Sequence, residues 1–149
     1  MSDAKASISD GIRAAGLLEE ACRSVSLHAS RIEVVRRLAL DLERQLDGLS
    51  DLAGEDAPPD VLAEAAICCA DLANLAACNA PDLPPGAALR AVSAARLAAA
   101  AVNALGPIIE AGSTDLGDGH AENLLRDARS AGWRAQFAAR LAEEPYKES

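Results

Sequence analysis

The stretch Ala87–Leu105, AALRAVSAARLAAAAVNAL, decides the fold class. Ten of its nineteen residues are alanine, and only Arg90, Ser93, Arg96 and Asn103 are polar. Alanine is the best helix former because it loses no side-chain entropy and competes with no backbone hydrogen bond. Apolar positions cover most of the helix circumference, which is the pattern of a central helix packed on several sides. A methyl group buries little area, but it lets neighbouring helix axes approach to about 8 Å.

Punctuation on either side divides the rest of the chain. Pro81, Pro84, Pro85 and Gly86 precede this helix, and Gly106-Pro107 should kink or end it before Ile108. Gly112 to Gly119 reads as a polar loop, and a last helix is expected from His120 to Glu144, stopped by Pro145. Upstream, Ala53-Gly54-Glu55-Asp56-Ala57-Pro58-Pro59 is a clear stop, after which Asp60 should cap a helix reaching Asn79.

Earlier still, Ile8, Ile12, Ala15, Leu18, Cys22, Val25, Ala29, Ile32, Val35, Ala39, Leu42, Leu46 and Leu49 recur almost entirely at steps of three or four. That spacing lines one face of a helix. Ser7 with Asp10 makes a loose cap at its start. Unbroken from Ile8 to Leu52, the rod would be roughly 67 Å long, too long for a compact domain of this size. Ser30-Arg31-Ile32-Glu33 is a capping box, so a kink or break near Ser30 is expected. A direct reversal there is not expected, because no Gly or Pro falls between Leu17 and Asp47.

The whole reads as one all-α domain over residues 1–149, an antiparallel bundle of four to five helices. Residues 1–7 and 145–149 are expected to be flexible tails. Composition agrees. The 149 residues include 35 alanines and 20 leucines against six isoleucines, six valines and three aromatics, which argues against a β sandwich or barrel.

Charge and composition also exclude several function classes. A net charge of −9 opposes unaided nucleic-acid binding, which needs Lys and Arg to neutralise phosphates. Met1 to Asp10 carries no secretory signal pattern, and the longest apolar run, Leu97 to Ile109, is too short to span a bilayer. A cytoplasmic location with no membrane association is the expectation. Twelve of the fourteen basic residues are arginine, which together with the alanine content suggests a GC-rich bacterial genome. Glycine-rich phosphate loops, a GxSxG elbow, HExxH and Glu-x-x-His pairs are all missing.

Residues 45 to 89 hold Asp47, Asp51, Glu55, Asp56, Asp60, Glu64, Asp71 and Asp82 but no Lys or Arg. Asp60, Glu64, Asp71 and Asn74 fall within about 80° of arc, opposite Leu62, Cys69 and Ala76. Such a stripe is either a solubilising face or a docking surface for a basic partner. Cys22, Cys68, Cys69 and Cys78 have no metal-ligand spacing, and Cys69 belongs to the core face. Carboxylates near Cys78 make it a poor nucleophile.

Asp115, Asp118, His120 and Glu122 are a weak candidate cation site on a glycine-loosened loop, although they depart from the calcium-loop pattern. The plain alternative is a helix start with Asp118 as cap. Trp133 and Phe137 lie one turn apart, with Arg129 one turn before. That combination is either a second buried face of the last helix or a binding hot spot for a partner or a second copy.

The leading expectation is therefore a non-enzymatic contact protein, without cofactor or metal. Asp60, Glu64, Asp71, Arg129, Trp133 and Phe137 would carry its surfaces. One version is an immunity-type regulator that neutralises a basic protein. The competing class is an enzyme or small-molecule binder with an interior pocket built on His28, His120 and carboxylates, walled by the Pro107 kink.

Overall fold

A computed structural model describes residues 3–25, 30–54 and 57–147, apart from the side chains of 30, 115 and 144–147. Five helices and no strand are found among the described residues: α1 Asp3–Arg23, α2 Ser30–Leu52, α3 Pro59–Asn79, α4 Pro85–Gly112 and α5 Asp118–Lys147. Short 3-10 turns, Ala80–Asp82 and Ser113–Asp115, connect α3 to α4 and α4 to α5.

Helices α1 to α4 form an up-down-up-down ring, with α1 against α2 and α4, and α3 against α2 and α4. Helix α5 lies outside this ring, on α3 and α4. Ion pairs and a hydrogen bond mark the directions. Arg96 of α4 meets Glu143 of α5 at 2.6 Å and Asn103 meets Gln136, an antiparallel register. Asp60 and Asp71 of α3 meet His120 and Arg134 of α5, a parallel one. The alanine-rich helix is central as expected, packed on α1, α3 and α5.

Apolar periodicity locates the core. Ile8, Ala15, Leu18, Cys22, Ile32, Val35, Ala39, Leu46 and Leu49 are buried, and Ile12, Val25 and Leu42 are packed against them. Ala29 lies outside the described residues. Helix α1 closes on α2 and α3 at Gly11, where a Cβ would sit 2.6 Å from the Cys69 sulfur and 3.3 Å from Leu46. Only a hydrogen at that position allows the approach.

A break does precede Ser30, but the chain reverses there, contrary to expectation, and α1 and α2 pack side by side. The end of α1 just before the reversal carries serine and neither glycine nor proline. Ser24 Oγ donates to the Ala21 carbonyl and the Val25 amide donates to Cys22, a tightened last turn. Serine side chains compete with the backbone in this way and so favour helix ends. The Glu33 carboxylate accepts from Arg36 at 2.6 and 2.9 Å; the Ser30 side chain of the expected capping box lies outside the described residues.

Other boundaries move outward. Helix α1 begins at Asp3, so residues 3–7 are helix and not tail, with Ser7 Oγ donating to the Asp3 carbonyl. Pro58-Pro59, not Asp60, starts α3, and Pro84-Pro85 starts α4 by the same device. Proline at the first helical position has no amide hydrogen to leave unsatisfied. Helix α4 passes through Pro107 to Gly112. Pro107 and Asn103 are both exposed, so water can satisfy the Asn103 carbonyl that the proline leaves without a donor. Helix α5 begins at Asp118 and runs two residues past Pro145.

Residues 59–82 and 85–112 are long and apolar enough to cross a membrane by length and composition, a span wider than Leu97–Ile109 alone. In the bundle at least half of each apolar window is buried inside the protein.

Candidate interaction surface

Helix α5 has two unlike faces. Leu124, Ala131, Ala135, Ala138 and Ala142 are buried on the side that meets α3 and α4. Trp133 stands about 200° around the helix from both Ala131 and Ala135, and so points away from the bundle. It is 81% exposed, and Phe137, one turn on, is 67% exposed. Leu141 continues the line. Of the two readings open to this pair, burial inside the chain is thus overturned.

Between this line and α4 runs an open groove of about 360 Å³, lined by Asn103, Arg129, Gly132, Trp133, Gln136, Phe137 and Arg140. A second groove of about 250 Å³ continues it toward Gly106, Pro107 and Glu110, and shares Asn103, Arg129 and Gly132 with the first. Gln136 donates to the Asn103 side chain at 3.4 Å across the groove floor. Arg134 pairs with Asp71 and Arg126 with Asn123, whereas Arg129 and Arg140 have no partner among the described residues. Arg140, Gln136, Asn103 and Leu141 were not singled out from sequence. Arg140 had a signal there, since it lies three helical turns from Arg129 and on the same side of the helix.

The acidic stripe is exposed as expected, but much of it is already engaged. His120 Nε2 lies 2.7 Å from Asp60 Oδ1, and Arg134 donates to Asp71 at 3.0 Å. Arg31 lies 3.3 Å from Asp82. Asp47, Asp51 and Glu64 have no ion pair among the described residues, while Glu55 and Asp56 lie outside them. The stripe is in part the seat of α5.

His120 pairs with Asp60 on α3, and no three described His, Cys, Asp or Glu residues form a group able to hold a metal. The Asp115 side chain and His28 lie outside the described residues. Cys22, Cys68 and Cys69 are buried and Cys78 is exposed. Burial pushes the Cys22 thiol up to about 11, helped by the neighbouring Glu19 carboxylate. Burial raises Cys68 to about 11 and Cys69 to about 12. Cys68 donates to Gln45 at 3.3 Å. None of the three buried thiols can act as a thiolate near neutral pH.

One buried carboxylate is balanced structurally. Glu19 accepts from Arg23 at 2.6 Å and from Arg36 at 3.4 Å, which ties α1 to α2. Arg36 in turn grips Glu33, and this hydrogen bond holds the Glu33 carboxyl below its ordinary range.

No protein-family model and no curated protein matches this sequence.

Proposed function

We propose that this is a non-enzymatic contact protein that works through the outer face of α5 and the adjoining edge of α4. The observation that carries the reading is the exposure of Trp133 and Phe137, two of the three aromatics in the chain, side by side on one groove. Large apolar side chains standing together in water mark contact sites, and Trp with Arg dominates binding energy where it is buried by a partner. The fold supplies the rigidity such a site needs, since α5 is clamped by buried alanines and by ion pairs to both α3 and α4.

A charge-driven version, in which an immunity-type protein neutralises a basic partner, would use the other flank. Asp47, Asp51 and Glu64 favour it, because they are exposed and have no ion pair among the described residues. Asp60 and Asp71 weigh against it, because a partner would have to compete with His120 and Arg134. An interior-pocket enzyme has less to rest on. His120 sits at the surface against Asp60, and the interior is filled by alanine and leucine.

Photo-crosslinking in the native cell separates the surfaces. A benzophenone side chain placed at position 137 should yield an adduct with another protein, and one placed at position 64 should yield little. Adducts from 64 and none from 137 would move the site to the acidic flank. Silence from both would remove the contact reading.

A further inference from the structure

We infer that the α5 face receives an acidic amphipathic helix, gripped at its two ends by Arg129 and Arg140; this rests on the contact reading above. The two arginines are three turns apart, roughly 16 Å along the axis, and differ by only about 20° in direction. Trp133 and Phe137 lie between them on the same groove. Neither guanidinium has a partner among the described residues, unlike Arg134 and Arg96 on the flanks of the same helix pair. An open groove with two aromatics in the middle and, among the described residues, an unpartnered cation at each end is complementary to a helix with aliphatic side chains in the middle and a carboxylate near each end. Such a helix rises at the same 1.5 Å or so per residue, so carboxylates about three turns apart would reach both arginines together.

Other occupants fit less well. A basic segment would meet two unpaired cations. A second copy using the same face would set Arg129 and Arg140 against an identical pair. Single-stranded nucleic acid can stack on an exposed tryptophan, but here it would find two free arginines on a chain of net charge −9. Among the described residues no acidic side chain lines the first groove, and Glu110 enters only in the second.

The chain has one tryptophan, so its emission reports directly on the groove. The probes are two synthetic helical peptides with the same aliphatic face, carrying either Glu or Lys at two positions three turns apart, and an oligothymidine strand. The Glu peptide should bind at least about tenfold more tightly than the Lys peptide at low salt, with the difference shrinking at high salt. Combined Arg129→Glu and Arg140→Glu substitution should reverse the order. Equal or tighter binding of the Lys peptide, tighter binding of the oligonucleotide, or no binding of either peptide would overturn the inference. Equal binding of both peptides with a Trp133 response would overturn this inference and leave the contact reading standing. The contact reading itself falls separately, if position 137 gives no adduct in the cell.

Discussion

Helices α4 and α5 are of similar length, 28 and 30 residues, and pack on each other, yet they dispose of their apolar side chains in opposite ways. Helix α4 turns its alanines, together with Leu105 and Ile109, toward three neighbours and exposes one large aliphatic, Leu89. Helix α5 buries a line of alanines and turns its largest side chains, Trp133 and Phe137, to the solvent. On α5, burial does not follow the hydrophobicity of the residue. Where alanine faces alanine, helix axes come close, and a large side chain finds no room; it must go elsewhere or meet a partner.

The interior and the α5 face should therefore answer perturbation very differently. Alkaline pH should act on the interior most strongly, because three buried thiols respond together. Their folded values, about 11 for Cys22 and Cys68 and about 12 for Cys69, lie above the ordinary 9.0. Below pH 9 both folded and unfolded chains keep these thiols protonated, and nothing is lost. Above it the unfolded chain releases protons that the folded chain retains, so stability should fall steadily from pH 9 to about 12. Thermal melts across that range check the trend, and Cys69→Ala should flatten it. At pH 8 a thiol reagent should reach Cys78 in the folded protein and the other three only on unfolding.

Truncation of the core comes next. Leu105→Ala removes a fully buried side chain from α4 and should cost about 2–5 kcal/mol by denaturant titration. Enlarging the inner face of α5 tests the spacing argument itself. Ala135→Leu, at a position with no exposure, should cost about 1–3 kcal/mol, although it adds hydrophobic surface. If Ala135→Leu stabilises the fold, the close-packing explanation for the outward aromatics is wrong. Asp71→Asn breaks a half-exposed pair with Arg134 and should cost under about 1 kcal/mol. Smallest of all, Trp133→Ala should leave stability within about 0.5 kcal/mol of the parent while removing partner binding. That combination is the signature of a surface residue kept for contact.

Much of this fold was legible because alanine, leucine and proline act locally. The stops at Pro58-Pro59 and Pro84-Pro85, the central position of residues 87–105 and the buried stripe from Ile8 to Leu49 all follow from spacing. The reversal before Ser30 was not legible, since Ser24 ends α1 through one side-chain bond that leaves no Gly or Pro signature. Of the two outcomes open at Gly106-Pro107, a kink or an end, the helix does not end there. The cost of Pro107 depends on whether the orphaned carbonyl faces water, which the sequence does not state. For the site, the Trp133–Phe137–Arg129 grouping was visible, but the choice between core and surface depended on how near α3 and α4 lie. The ties from Asp60 to His120 and from Asp71 to Arg134 join positions some 60 residues apart, beyond any local pattern.

The central claim is that the aromatic edge of α5 stands open in the isolated chain, and the emission of its single tryptophan tests this most directly. At a dilution where sedimentation finds only monomer, the emission should match that of a water-exposed indole and be quenched freely by acrylamide. A blue-shifted, quencher-protected emission from that monomer would mean that Trp133 packs inside the chain, and would contradict the account.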